Sequence, residues 1–156
     1  MTFLFSQEET NVKEEKKNSI YLCAGGYGGI GSINFERRFL KKQKAQVIYG
    51  LGIGSYRLLD YSRALNPDIT IPFEIGARYG KKHGIQINIA QIITSVVKAD
   101  YISYSKTRYC NIHLGFNLGY SYKKSNKFSY KLMYSPILEY YKYYRNWFAI
   151  SIGYDF

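Results

Sequence analysis

Residues 109–122 read YCNIHLGFNLGYSY, and this stretch decides the fold class because its side chains alternate between two kinds. One face is Cys110, Ile112, Leu114, Phe116, Leu118, Tyr120 and Tyr122, and the other is Asn111, His113, Gly115, Asn117, Gly119 and Ser121. A period of two is typical of a β-strand whose two faces meet different surroundings. The stretch therefore predicts an amphipathic strand with one apolar face.

The same alternation recurs along the chain and can be counted. In residues 148–156, for example, Phe148 and Ile150 share one face, while Ser151 and Asp155 share the other. The predicted strands are residues 19–25, 32–40, 46–55, 71–79, 84–93, 109–122, 128–135 and 148–156. An even number of strands returns both ends of the sheet to one side, as bacterial membrane barrels require.

The face opposite the apolar one carries charged and amide side chains, which argues against a dry soluble core. These inward residues are Asn34, Glu36, Arg38, Glu74, Arg78, Asn111, Asn117 and Lys131. A soluble lipocalin-like carrier has the reverse pattern, apolar inside and polar outside. The sequence thus predicts an all-β protein, an eight-stranded antiparallel up-and-down transmembrane β-barrel over residues 19–156, located in the outer membrane.

Composition supports this choice. The chain has 18 Tyr and 9 Phe in 156 residues, and tyrosine suits membrane interfaces because its ring is apolar and its hydroxyl is polar. The longest uncharged, mostly apolar stretch is about a dozen residues around 47–56, too short for a spanning helix. The formal charge of +11 is spread over short lysine clusters rather than one stripe, so nucleic acid is not an expected partner.

The connections between the predicted strands fall into two classes. KKQKA, GKKHG and KKSNK read as tight turns, which belong on the periplasmic side. Residues 56–67, 94–106 and 137–146 read as longer outer loops. The glycines of GGYGGIG, residues 25–31, mark either a hairpin turn or a bend within one long strand.

The first 18 residues are predicted to lie outside the barrel. Residues 1–7, MTFLFSQ, look like the end of a secretory signal, and residues 8–18 are rich in Glu, Lys and Asn. Such a composition buries little apolar area. We therefore expect residues 1–18 to be a residual signal followed by a flexible lead-in.

Three segments resemble the small single-domain outer-membrane β-barrel proteins of Gram-negative bacteria, a largely uncharacterised family. They are GGYGGIGSINFERRF, YKLMYSPILEYY and WFAISIGYDF, and the resemblance covers residues 19–156. It implies that Ile152, Tyr154 and Phe156 are similar to the C-terminal signal recognised by the barrel-assembly machinery. It also implies outer-membrane lipid as the surroundings and an envelope protein as a possible partner.

The sequence offers no clear catalytic or cofactor site. His83 lies in a predicted turn, and His113 lies on the inner face, away from the bilayer where a lipid hydrolase needs its triad. Cys23 faces inward and Cys110 outward, so a disulfide between them is not expected. Neither metal-ligand spacing nor a phosphate-binding loop occurs. We therefore expect no enzyme activity, no cofactor and no metal.

Inside the predicted barrel, Gly50, Gly52 and Gly54 leave the wall bare between two strands that carry inward charges. Two strand spacings amount to roughly 10 Å, which long side chains can bridge. The sequence therefore predicts an interior charge cluster that fills the barrel toward its periplasmic half. Its members are Glu36, Arg38, Glu74, Arg78 and Lys131.

Three classes of function remain open at this point. The first is a structural or interaction barrel that serves envelope integrity, as an accessory subunit or a surface contact, with its interior plugged by side chains. The second is a lipid-modifying outer-membrane enzyme. The third, which the inward charges disfavour, is the lipocalin-like carrier.

Overall fold

The computed structural model describes residues 17–42, 44–60, 63–99, 106–124, 127–140 and 142–156. The predicted signal and lead-in therefore lie almost wholly outside the described residues. The strands are β1 Asn18–Gly25, β2 Gly31–Lys42, β3 Ala45–Ser55, β4 Ile69–Tyr79, β5 His83–Ala99, β6 Lys106–Lys123, β7 Phe128–Tyr134, β8 Ile137–Glu139, β9 Tyr143–Arg145 and β10 Phe148–Asp155. Among the described residues, no helix is long and apolar enough to cross a membrane.

The strands form a closed antiparallel barrel with eight strand positions in its wall. Each strand from β1 to β6 pairs with the next, β6 pairs with β7, β7 with β10, and β10 with β1. β8 continues the line of β7 in the wall and pairs with β6, after an interruption at Ser135 and Pro136. At the seam, the Asn18 and Phe156 backbones exchange hydrogen bonds of 3.2 and 2.9 Å. The predicted eight-stranded up-and-down barrel is confirmed.

Alternation decides which side chains enter the barrel. Along β10, Phe148, Ile150 and Ile152 are exposed, whereas Ala149 and Ser151 are buried. The interior is therefore polar and the outer wall apolar, the reverse of a lipocalin-like carrier. That alternative is excluded.

Two predicted outer loops are partly strand. Residues 94–99 continue β5 and pair with the first residues of β6, for example Val96 with Tyr109, and residues 100–105 of that predicted loop lie outside the described residues. Residues 137–139 and 143–145 are the paired strands of the β8–β9 hairpin. Both pieces lie beyond the lipid-facing part of the wall, where no apolar face is needed and the sequence loses its two-residue signal.

GGYGGIG is a turn between β1 and β2 and not a bend in one strand. Gly26–Gly28 make one 3-10 turn, and β1 and β2 pair up to Ala24 with Gly31. Gly25, Gly26 and Gly29 have positive φ angles of 81°, 69° and 88°, a region that favours glycine. This turn directs Tyr27 into the barrel.

Candidate functional site

Three of the five residues predicted to form the interior charge cluster are in direct contact. Lys131 on β7 donates a hydrogen bond to Glu36 on β2, and Arg38 Nε lies 3.6 Å from Glu36 Oε1. All three side chains are buried. Glu36 thus lies between a cation of its own strand and a cation of β7, which reaches it past β1 and β10.

Asp155 is a further member that the sequence reasoning did not include. Arg38 donates to its carboxylate at 2.8 Å, and Lys123 Nζ lies 3.6 Å from it. The two-residue pattern of the sequence could have predicted it, because that pattern places Asp155 on the inner face of the closing strand. We call Glu36, Arg38, Lys131 and Asp155 the seam cluster.

Aromatic packing completes the seam cluster. The Lys131 ammonium lies 3.9 Å from the centroid of the Tyr21 ring, within cation–π range. The Tyr21 ring lies over Gly153, where an added Cβ would come within 2.2 Å of it. Gly153 therefore provides the space in which Tyr21 covers the lysine.

Glu74 lies in a neighbouring group of interior side chains closer to the outer mouth, and hydrogen bonds through Gln86 and Asn88 link it to Glu36. It accepts hydrogen bonds from the Tyr27 hydroxyl and, at 2.7 Å, from Asn88. Asn117 donates to the same tyrosine hydroxyl. Glu74 lies over Gly50, whose missing side chain leaves the space, as the sequence indicated. Among the described residues, its hydrogen-bond partners are neutral.

Arg78 lies at the periplasmic end and binds the backbone of a turn. Its guanidinium donates to the carbonyls of Gly80 and Lys81, at 2.6 and 2.9 Å, and to Ser121 Oγ at 2.7 Å. The structure therefore does not bring Arg78 and Glu74 together. Of the five residues predicted to cluster, Glu36, Arg38 and Lys131 are in contact. Glu74 is linked to Glu36 through Gln86 and Asn88, and Arg78 binds the turn backbone instead of an acid.

Little space remains between these groups. The interior cavity, which Tyr21, Tyr27 and Lys131 line among others, has a volume of about 40 Å³. This is enough for a few water molecules. Above it, Tyr27, Ala90, Ile92 and Ile137 form a buried apolar cluster, and Trp147 packs against it.

A larger cavity of about 810 Å³ lies at the outer mouth, above this apolar cluster. Tyr56 and Trp147 pack there with ring centroids 5.9 Å apart. Burial and the nearby Glu139 carboxylate raise the pKa of Tyr56 to about 12, so this side chain is a neutral phenol at physiological pH. The cavity thus offers aromatic surface together with hydroxyl groups.

Two ion pairs flank the outer cavity. Arg57 Nε lies 2.9 Å from Asp68, and Arg145 Nε lies 3.0 Å from Glu139. The second pair holds the strands of the β8–β9 hairpin together. Both arginine side chains are more than half exposed, so they remain accessible from outside.

His113 lines the floor of the outer cavity in a defined tautomer. Its Nδ1 accepts the backbone N–H of Tyr140 at 3.0 Å, so the proton lies on Nε2, which contacts Thr94 Oγ1 at 2.9 Å. A ring nitrogen that donates to a hydroxyl cannot take its proton. His113 is arranged to anchor the hairpin rather than to activate Thr94.

The remaining candidate residues lie apart from these clusters. His83 contacts the hydroxyl of Tyr120 on the outer wall. Cys23 and Cys110 are free thiols, the first half-buried and the second exposed. Within the described ranges, no group of three His, Cys, Asp or Glu side chains is placed to hold a metal.

Large apolar side chains cover the outer wall. Leu22, Leu51 and Ile87 are each more than half exposed, and Ile152, Tyr154 and Phe156 are also exposed on this wall. A water-soluble monomer rarely exposes a continuous apolar surface of this size. Aromatic pairs lie near the ends of the strands, such as Phe128 with Tyr154 and Tyr134 with Phe148. This distribution matches a lipid-facing belt with aromatic borders.

The sequence matches no known family model, and no curated protein is significantly similar to it. Solved structures are similar in fold. The N-terminal β-barrel domain of Pseudomonas aeruginosa OprF has a TM-score of 0.66 and 11% identity, over 91% of this chain and 98% of that one. Ail, the attachment invasion locus protein of Yersinia pestis, has a TM-score of 0.59 and 10% identity, over 90% and 99%.

Ail has also been solved as an outer membrane protein in a phospholipid bilayer nanodisc, with a TM-score of 0.55, 11% identity and coverage of 91% and 100%. At such identities the likeness concerns the fold alone. This likeness in fold, together with the apolar belt and the polar interior, defines the class of protein. The chain is a small eight-stranded transmembrane β-barrel of the outer membrane, surrounded by lipid.

Proposed function

We propose that this barrel is a non-enzymatic, non-conducting protein that makes contacts at the outer surface through the cavity at its mouth. It acts either as a surface-contact protein or as an accessory subunit of an envelope complex. The observation that carries the proposal is a cavity of about 810 Å³ above a floor of packed apolar side chains. A cavity with a closed floor suits the binding of a partner better than the passage of ions or solutes through the barrel.

The composition of the cavity rim supports a contact site. Tyr143 and Tyr144 are exposed on the β8–β9 hairpin, beside Arg145. Tyrosine, tryptophan and arginine are the residues most enriched among those that dominate binding energy at protein interfaces.

Two observations support the absence of catalysis. His113 is held as a donor toward Thr94, which does not suit a general base. The interior carboxylates Glu36 and Glu74 are engaged by cations or amides below the outer cavity. A lipid-modifying enzyme needs its nucleophile and base close to the bilayer, and these groups lie inside.

Site-specific photo-crosslinking in intact cells tests the proposal. A photoreactive phenylalanine analogue replaces Tyr143, Tyr144 or Trp147 at the rim or, as the control, Ile150 on the lipid-facing wall. We expect a discrete protein or glycan adduct from position 143 that position 150 does not give. The proposal is wrong if positions 143, 144 and 147 all yield no adduct while the barrels are folded.

The enzyme alternative has its own test. Purified protein in mixed micelles is incubated with lipopolysaccharide and with phospholipid, and released acyl chains are measured. We expect release no greater than with heat-denatured protein. Release that is lost on replacing His113 by Ala would establish the lipid-modifying enzyme instead.

A further inference from the structure

A second cavity lies on the lipid-facing wall at the periplasmic end. It is a groove of about 540 Å³ where the β2–β3 turn meets the β4–β5 turn. The Gly80 N–H donates to the Lys44 carbonyl at 2.9 Å, which joins the two turns. The side chains that line the groove are Lys44, Tyr79, Lys81, His83, Ile85 and Tyr120. We call it the periplasmic groove.

The turn that carries Lys81 is held from inside the barrel. Arg78 donates to the carbonyls of Gly80 and Lys81, as described above. Gly80 has a φ of 124°, and an added Cβ there would come within 2.0 Å of the His83 carbonyl oxygen. The backbone under the periplasmic groove is therefore fixed before any ligand arrives.

The charge of the groove has one sign. Lys44 and Lys81 are exposed, and among the described residues neither ammonium has a carboxylate partner. The sequences of the three periplasmic turns, KKQKA, GKKHG and KKSNK, contain eight lysines and no acid. The groove is therefore complementary to an anion.

Beside the lysines, the groove wall is aromatic and apolar. Tyr79 and Tyr120 are exposed, and the Tyr120 hydroxyl contacts His83 Nδ1. Ile85 lies between the two tyrosines, paired with Tyr79 on β4 and with Tyr120 on β6, and is 59% exposed. Cationic turns next to tyrosine and alkyl side chains match the border between lipid headgroups and acyl chains.

We propose that the periplasmic groove binds one anionic phospholipid of the periplasmic leaflet. The ammonium groups of Lys44 and Lys81 contact its phosphodiester, whose negative charge no headgroup ammonium offsets. The glycerol backbone and the first acyl carbons pack on the adjoining side chains of Tyr79, Ile85 and Tyr120. This inference is independent of the contact site at the outer mouth.

Native mass spectrometry of the purified barrel tests the proposal. The detergent-solubilised protein is titrated with phosphatidylglycerol or with phosphatidylethanolamine of the same acyl chains. We expect one phosphatidylglycerol to be retained at concentrations where phosphatidylethanolamine is not. Each basic residue near an anionic lipid surface contributes enough that Lys44→Gln with Lys81→Gln should weaken this binding at least about tenfold.

A matched control separates a site from a general attraction. Lys124→Gln with Lys127→Gln removes the same charge from the third periplasmic turn, outside the groove. Gel mobility before and after boiling verifies that each variant is folded. Retention by the control and loss by the groove variant support the site. Equal loss in both variants, or no preference for phosphatidylglycerol in the parent, overturns it.

Discussion

The Arg38 guanidinium on β2 donates a 2.8 Å hydrogen bond to the Asp155 carboxylate on β10, reaching across β1. The Ser19 hydroxyl on β1 donates to the same carboxylate oxygen at 2.6 Å. Three neighbouring strands are therefore joined from inside at the place where the first and last strands pair. The barrel is closed there by side chains as well as by the backbone ladder.

Glu36→Gln tests the energetic role of the seam cluster. The change leaves Lys131 and Arg38 buried with one anion fewer, and breaking a buried pair costs on the order of 3 kcal/mol or more. We expect a loss of that order in the free energy of unfolding, measured by urea titration in lipid vesicles.

The matched control for that measurement is Glu74→Gln. The hydrogen-bond donors around Glu74 are neutral, so the amide keeps one acceptor and the loss should be on the order of 1 kcal/mol. If Glu74→Gln is as destabilising as Glu36→Gln, ion pairing in the seam cluster is not what stabilises the interior.

Tyr27 links the outer turn to the opposite walls. Its hydroxyl contacts Glu74 and Asn117, and its ring fills the space above Gly115. Tyr27→Ala removes both the packing and the hydrogen bonds, so it should lower the melting temperature more than Tyr27→Phe. The temperature at which the compact gel band disappears measures this, and equal shifts would mean that the ring contributes nothing.

His113→Ala should loosen the β8–β9 hairpin, because it removes the acceptor for the Tyr140 N–H. We expect trypsin to cleave after Lys142 or Arg145 several-fold faster in folded protein. Thr94→Val is the control, since it removes only the other contact of the imidazole. Unchanged cleavage in the alanine variant would contradict the anchoring role.

The role of Phe156 in assembly remains a prediction from sequence resemblance. Phe156→Ala should lower the amount of folded barrel in the outer membrane, compared with Ile150→Ala on the same face of β10. Both side chains are exposed on the lipid side. Equal folded levels would indicate that Phe156 is an ordinary interfacial aromatic.

The wall of the barrel was predictable because lipid and lumen impose opposite demands on alternate residues. Beyond the part of the wall where lipid and lumen impose this alternation, the ends of the strands were not predicted. Residues 94–99, 137–139 and 143–145 form strands held by backbone pairing and by local contacts such as Arg145 with Glu139, and these segments show no two-residue period.

Interior partners were harder to predict than interior positions. Glu36, Arg38 and Lys131 were placed on the correct face, but the sequence could not show that Arg78 binds the turn carbonyls instead of an acid. The position of Tyr27 inside the barrel depends on the glycine turn that carries it and on the space above Gly115, which is far away in the sequence. Such three-dimensional complementarity has no local sequence signal.

The central claim is that the side chains within the barrel close it to ions. Single-channel recording of the purified protein in planar lipid bilayers tests this most directly. An eight-stranded barrel has room for side chains but not for an open channel, and the cavity between the interior side chains around Glu36 and Glu74 has a volume of about 40 Å³. We expect no stable conductance steps in protein verified as inserted and folded. Large, long-lived steps that scale with the amount of folded protein would contradict the account.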